Sequence, residues 1–474
     1  EAAKTPAIAQ TIMAEGFANR SSKELVGFLS HADRRVRQEA QFALAKKGAL
    51  DELIAVAKSD GNQFARIHAI WGLGQLVRQG PKVTSKQYVA QQVLLRSLAS
   101  DSDSEIRAQV CRVITQYRPF TAAQRAKFLQ TKKAVGDIKL SPGNLSRQIK
   151  RWFPTRNTKM LFTLLNDDSA RVRSLAALAL RSGLPWQNLK PLLKMLDDNT
   201  NGDPVIRHAA SVALSRIYDK RLIKEGLPGA GPAARMGIML ALRRQKSKEL
   251  ATLLDDPEPL ISLEAARAIH DEEILGALPQ LAAMADQPMP SGDDGLTDAL
   301  VRRVMNANFR LGTKENAERV IKFATDASLA ESLRVEALEE LKMWDEPSPL
   351  DRVLGAWRPI AEKRDAGFIT ELLRPQLGGI ISGSESVQKL GAELAAKYGI
   401  QEVEPVLVAV AQDSSKAATS RVAAIRALDR LDSKTIARLT QQSLKDDSAE
   451  VRVAAREISV RRNPDAAAKT LAQA

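Results

Sequence analysis

One short pattern returns along this chain and limits what it can fold into. Its clearest copy is Leu164-Leu165-Asn166-Asp167-Asp168-Ser169-Ala170-Arg171-Val172-Arg173, followed by Ala176, Ala179 and Leu180. It comes back near the far end as Leu444-Lys445-Asp446-Asp447-Ser448-Ala449-Glu450-Val451-Arg452, followed by Ala455. Eleven segments read as versions of the same unit: an apolar helix, a short polar turn and a second helix. A pair of helices this short cannot bury its own apolar face, so each pair must stack on its neighbours. The expected fold is all-α, an α-solenoid of about eleven or more two-helix repeats running through residues 1–474.

The second helix of each unit opens with a marker residue, usually Arg, then a small residue three later and an apolar one seven later. At 3.6 residues per turn the three share one face. The marker is Arg37, Arg66, Arg107, Arg173, Arg207, Arg235, Arg302, Arg334, Arg421 and Arg452, with Ser262 in its place once. Small partners include Ala40, Ala69, Ala176, Ala210, Ala265, Ala337, Ala424 and Ala455. Asp and Ser in the turns (Asp33, Asp101, Asp103, Asp197, Asp256) are placed to cap the second helix and favour its positive end. They can also pair with the Arg of the same or next unit. Arg37, Arg66, Arg107, Arg173, Arg207, Arg334, Arg421 and Arg452 are therefore expected to hold the repeats together, and not to form a phosphate-binding ladder.

The marker spacing breaks twice. From Arg107 to Arg173 the gap holds a basic stretch, residues 111–160, either an insertion or a degenerate repeat. From Arg334 to Arg421 it holds Trp344, Pro347, Pro349, Trp357, Pro359, Pro375 and Gly378-Gly379, so residues 342–402 are expected to be an irregular segment within the solenoid, holding a degenerate unit or an inserted loop. Pro and Gly runs at 226–232 and 288–292 read as loops between units.

Charge is uneven. The net charge is +14, yet residues 111–160 carry twelve Lys/Arg against the single acid Asp137, a local +11. Arg118, Arg125, Lys127, Lys132, Lys133, Arg147, Lys150, Arg151, Trp152 and Arg156 form the candidate partner-binding set, with Tyr117, Phe120, Phe128 and Phe153 interleaved. Cations beside stacking faces suit nucleic acid, an acidic protein or an anionic membrane surface. The same composition suits a solvated helix pair with its aromatics in the core.

The run from Leu161 to Leu180, Leu-x-x-Leu-Leu-x-Asp-x-x-x-x-Val-Arg-x-x-Ala-x-x-Ala-Leu, resembles the HEAT-repeat family, and looser matches cover about two-thirds of the chain. That resemblance implies architecture and leaves chemistry open. Three further stretches, Arg34–Leu44, Ala65–Leu76 and Leu350–Ile360, resemble the HEAT region of planctomycete-type exported proteins. Those proteins join a dehydrogenase-like β-propeller, HEAT repeats and a c-type cytochrome. The resemblance implies an exported or periplasmic setting and a position between redox modules. The chain itself carries neither a propeller nor a haem-attachment motif. Its start, Glu-Ala-Ala-Lys-Thr-Pro, is unlike a signal peptide and fits a mature product or a fragment.

The remaining candidates read as structural. Cys111 is the single cysteine, so no internal disulfide is possible; lying among Val110, Val113 and Ile114, it reads as a buried thiol. His31, His68, His208 and His270 show no metal-ligand spacing, and His270-Asp271 is the one weak pair for catalysis. Gly72 and Gly74 sit in a helical pattern and suggest close helix packing. Trp71, Trp344 and Trp357 read as packing residues, with Trp357-Arg358 on a loop also suited to a contact. No apolar run approaches a membrane span. Taken together, the sequence leads to a non-catalytic protein-interaction scaffold or spacer with no cofactor and no metal. Its expected partner is another protein or the adjacent domains of a larger chain. A nucleic-acid-binding solenoid is the alternative.

Overall fold

A computed structural model describes residues 5–78, 95–115, 158–180, 185–288, 295–361 and 364–464. Contacts group the chain into two units, Glu1–Gln245 and Lys246–Ala474.

In the first unit, second helices of successive repeats lie at Arg34–Lys47, Gln63–Arg78, Ser104–Thr115, Ala170–Leu180, Pro204–Leu214 and Pro232–Gln245. Each packs on the next in turn. First helices, such as Ser22–Phe28, Leu50–Lys58 and Leu189–Asn199, cover one side. The small residues predicted at the marker-plus-three place, Ala40, Ala69, Ala176 and Ala210, are fully buried. Ala there lets two helix backbones close together, and the Leu positions fill the space between.

The polar turns start the second helices by side-chain capping. Asp33 Oδ1 accepts from Arg35 N at 2.8 Å, and Asp203 caps Val205 N at 2.7 Å. Ser21 forms a reciprocal capping box with Glu24. Asp197 acts further away: its Oδ1 accepts from Ala234 N at 3.0 Å, capping the helix of the following repeat.

The marker Arg folds back on its own turn. Arg37 Nη1 donates to the carbonyls of His31 and Ala32, Arg107 to Asp101 and Ser102, Arg173 to Asp167 and Asp168, and Arg452 to Asp446 and Asp447. In these four the partners are six and five residues back, so the guanidinium closes the loop between the two helices; Arg66 reaches further, to Ala57 O. Three markers also reach forward to the next turn. Arg66 pairs with Asp101, Arg107 with Asp167 through two bonds of 2.7 and 2.8 Å, and Arg421 with Asp446. Arg207 is half-buried at the equivalent place, and Arg334 Nε donates to Ala324 O at 3.3 Å. Arg302 departs from the pattern, donating to the carbonyl of Arg352 at 2.8 Å.

The second unit carries helix pairs at 248–253 with 259–271, 278–283 with 295–311, 314–325 with 331–342, 404–412 with 418–430 and 436–443 with 449–462. Residues 342–402 are only partly irregular. An extended loop runs through 343–361, and two helices, Gly367–Ile381 and Glu385–Tyr398, then form a repeat. Gln388 occupies the marker place there, donating to Ile381 O at 2.7 Å, with Gly391 three residues on and Ala395 seven on. A neutral amide satisfies the same backbone need as the guanidinium, which is why a search for Arg passes over this unit. Gly391 is small because Ile380 and Ile381 stand where its Cβ would be.

Gly72 and Gly74 are close-approach residues. A Cβ at Gly74 would lie 2.9 Å from Val113 Cγ1 of the neighbouring second helix, and one at Gly72 would lie 3.0 Å from Leu53 Cδ2. Gly74→Val should therefore cost about 1–3 kcal/mol by overpacking, read as a lower urea midpoint. Adding Val113→Ala should recover part of the loss, and simple additivity of the two changes would refute this contact.

Asp167 is held below the usual carboxylate range, chiefly by the Arg107 hydrogen bonds. A carboxyl with a depressed folded pKa adds stability above its unfolded pKa and loses it as pH falls. Asp167→Asn should cost about 1–3 kcal/mol near neutral pH, and the gap to the parent should close on acidification. Thermal midpoints of both proteins across the acid range check this.

Candidate functional site

The most distinctive surface follows helix Glu331–Lys342. Pro347 and Pro349 prevent the helix from continuing, and the chain turns back on itself at 349–358. Arg358 N donates to Pro349 O and Asp351 N to Ala356 O, both at 2.8 Å, with an antiparallel bridge between Leu350 and Trp357. Gly355 takes φ +66° at the turn, a left-handed conformation that glycine adopts without cost.

Asp351 fixes this hairpin from inside. Its Oδ1 accepts from Val353 N and Leu354 N, each at 2.9 Å. Its Oδ2 lies 3.2 Å from Arg358 Nη1 and 3.5 Å from Arg310 Nη1, with the whole side chain buried. Arg358 also bonds Glu273 Oε1 at 2.9 Å and the carbonyl of His270 at 2.9 Å. Arg352 grips Glu336 through two bonds of 2.8 and 2.9 Å. Burial and the neighbouring Arg358 lower the pKa of Arg310. A buried carboxylate between two guanidiniums tolerates desolvation only while all three stay together, so the hairpin is clamped to helices 259–271, 295–311 and 331–342.

Beneath it runs a buried polar chain. His270 Nδ1 lies 2.9 Å from Asp271 Oδ1 and Nε2 lies 2.9 Å from Asn306 Oδ1. Asn306 Nδ2 donates to Glu340 Oε1 at 2.8 Å. Burial pushes Asp271 upward, but bonds from His270 and Arg303 outweigh it and hold the carboxyl at about 2. Glu340 shows the opposite balance. Burial pushes its pKa up to about 8 against the single bond from Asn306, and Oε2 has no hydrogen-bond partner among the described residues. Trp344 is buried edge-on against Phe309, and the Arg364 guanidinium lies over both rings.

These polar groups are spent on holding the hairpin. Its outer surface is apolar: Trp357 is 71% exposed, with Leu350 and Leu354 also open. His270, proposed from sequence as one of a weak catalytic pair, has a fully buried side chain. Such an arrangement presents an anchor for a contact. Among the described residues, no group of three or more His, Cys, Asp and Glu is placed to hold a metal.

The sequence marked Trp357-Arg358 as a contact point and His270-Asp271 as a weak pair for catalysis. It missed Asp351, Arg310, Asn306 and Glu340, which come together from separate repeats. The basic set Arg118, Arg125, Lys127, Lys132, Lys133, Arg147, Lys150, Arg151, Trp152 and Arg156 lies outside the described residues. At its edge, exposed Arg112 stacks over the Trp71 ring, 5.5 Å from its centroid, and Trp71 Nε1 donates to Gln109. Cys111 is buried, its thiol pushed up to about 12 by desolvation.

Residues 22–115 match the family described as HEAT repeats. That segment is a run of HEAT repeats. The helix pairs that follow it in each unit have the same stacked, all-α solenoid architecture. No curated protein matches the chain. Among solved structures, it is similar to an engineered protein at 18% identity, covering 92% of this chain and 97% of that one, with a TM-score of 0.28. It is similar to Kap95p, in a structure with RanGDP, at 13% identity, covering 93% of this chain and 62% of that one, with a TM-score of 0.40. A designed armadillo repeat protein in complex with the peptide (KR)4 matches at 15% identity over 53% of this chain and 98% of its own, with a TM-score of 0.28. Among the described residues no helix is long and apolar enough to cross a membrane.

Glu340 is expected to give the core of the second unit a pH-dependent stability. The carboxyl keeps its proton in the folded state to about 8 but ionises near 4.5 when free. A group with a raised folded pKa stabilises fully below its unfolded pKa and loses that contribution as pH rises through the folded one. The melting midpoint of the parent should therefore fall relative to Glu340→Gln between pH 4.5 and about 8. Parallel curves for the two proteins would contradict burial of an uncharged acid here.

Proposed function

We propose that the chain is a non-catalytic protein-interaction scaffold, and that it forms the middle region of a larger exported protein between a dehydrogenase-like propeller and a c-type cytochrome. The observation that carries the scaffold reading is the Leu350–Trp357 hairpin. An exposed Trp is an effective binding anchor when its backbone is already ordered, because little conformational entropy remains to be lost. The ion cluster around Asp351 supplies that order. The larger setting rests on the resemblance of Arg34–Leu44, Ala65–Leu76 and Leu350–Ile360 to exported propeller–HEAT–cytochrome proteins.

The deciding measurement is the intact mass and visible spectrum of the native full-length gene product. A product much larger than 51.7 kDa with a covalent c-type haem band supports the spacer reading; a colourless product of that mass refutes it. The hairpin is tested separately with a photo-crosslinking residue at position 357 and a control at the exposed Val205. One discrete adduct from 357 and none from 205 is expected. Equal, diffuse labelling at both would reduce the hairpin to an ordinary exposed loop.

A second reading is favoured by the local +11 of residues 111–160: nucleic acid bound through phosphate contacts. It requires affinity to fall about 10³–10⁵ between 50 and 200 mM salt for six to ten contacts. Weak binding insensitive to salt would eliminate it.

A further inference from the structure

Six second helices stack in order through the first unit, at 34–47, 63–78, 104–115, 170–180, 204–214 and 232–245. The residue five past each marker stands on the opposite side of its helix from the packed marker-plus-three and marker-plus-seven places. That row is Phe42, Trp71, Arg112, Leu178, Val212 and Leu240. Phe42 is 39% exposed, Arg112 is exposed and the other four are partly exposed. Neighbours in the row touch: the Arg112 guanidinium lies over the Trp71 ring. Trp71 is fixed from below, where Gln109 accepts from its Nε1 at 2.8 Å and His68 packs edge-on against it.

The same place in the second unit is polar. Five past Ser262, Arg334, Gln388, Arg421 and Arg452 stand Arg267, Glu339, Glu393, Arg426 and Glu457. Arg267 pairs with Glu264, Glu393 with Lys342 and Arg426 with Glu457. Helix 295–311 lacks such a place, because Ala307, five past Arg302, is buried. A contiguous apolar row on an open face marks a contact, and only the first unit carries one at these positions.

Charge separates the units in the same way. The six second helices of the first unit carry fifteen Lys/Arg against two acids, Glu39 and Glu105. Glu105 is taken up by Arg171. Six second helices of the second unit carry fifteen Lys/Arg against twelve acids. Several marker Arg of the first unit are engaged with turn carbonyls, but Lys46 and Arg244 are exposed one turn further along the same face as the row. The first unit therefore offers an apolar row among uncompensated cations, which attracts an acidic partner.

Spacing selects the partner's conformation. Packed helices lie about 8–10 Å apart. A polyproline II segment has three residues per turn and rises about 3.1 Å per residue. Every third side chain of such a segment faces the same way and advances by about one repeat. Residues three apart on a β-strand point to opposite faces and cannot follow the row.

We infer that the row from Phe42 to Leu240 docks an extended, acidic segment of a partner protein in polyproline II conformation, with an apolar residue at every third position and carboxylates between. The apolar residues lie against the row, and the carboxylates meet Arg112, Lys46 and Arg244. A nucleic acid would use the cations but find no stacking faces at Leu178, Val212 and Leu240. The inference takes from the scaffold reading only that the partner is a protein, and it uses no residue of the Leu350–Trp357 hairpin.

The probe is a fluorescein-labelled peptide of Leu-Glu-Pro repeats long enough to span the six helices, followed by anisotropy against the 474-residue chain. It should bind saturably. A Leu-Lys-Pro peptide of equal length, and an acidic peptide of the same composition with its leucines grouped together, should each bind at least about tenfold more weakly. Trp71→Ala, Leu178→Ser and Arg112→Glu should each weaken the acidic peptide at least about tenfold, while Arg426→Glu in the second unit should change nothing. Melting midpoints show which variants stay folded, and Arg112→Glu, a surface change, keeps the test decisive if an apolar variant unfolds. Absence of saturable binding up to about 1 mM peptide, equal binding of the acidic and basic peptides, or binding indifferent to Arg112→Glu overturns the inference. So does an oligo-dT strand that outcompetes the acidic peptide and is weakened by Arg112→Glu but not by Leu178→Ser, which would assign the face to nucleic acid. Each of these outcomes leaves crosslinking from position 357 to decide the hairpin on its own.

Discussion

Every repeat here depends on a neighbour, because two short helices leave one apolar face open. Stacking closes that face, and the positions that permit the closest stacking are the smallest ones. Ala40, Ala69, Ala176 and Ala210 sit where helices cross, and Gly74 allows Val113 to lie against the backbone itself. The marker Arg serves this packing. It ties the inter-helix turn to the second helix and, in three repeats, ties that repeat to the next turn. Surface ion pairs contribute little alone; the Arg107–Asp167 pair differs because both side chains are largely buried and bonded in parallel.

The second unit shows how such an array is modified without being broken. Between helices 331–342 and 367–381 the chain inserts a loop, and its polar groups are drawn into the stack. Asp351, Arg310 and Arg358 satisfy one another, while His270, Asn306 and Glu340 from three successive second helices form a chain beneath them. One consequence is energetic: a buried acid with a raised pKa makes stability fall as pH rises. The other concerns recognition, since Trp357 is offered to solvent from a backbone that is already fixed.

Much of the architecture was legible because its signal repeats. The 3-and-7 spacing after each Arg and the Asp and Ser turns led to stacked helix pairs. The reading faltered where one residue did another's work. Gln388 bonds a backbone carbonyl at the end of its first helix, as Arg66 does with Ala57, so a repeat without the Arg marker at 367–398 looked irregular, and Pro375 and Gly378-Gly379 added to that appearance. The candidate site was legible only at its surface, in Trp357 and Arg358.

The sequence by itself determined the fold class, the marker positions and the capped turns, because each follows from spacing within some ten residues. Only the tertiary structure decided that Asp351 is a clamp, that His270 is interior and not available for chemistry, and that Glu340 holds its proton. Those properties arise from groups 30 to 90 residues apart meeting in a medium of low dielectric, and no local spacing encodes that meeting.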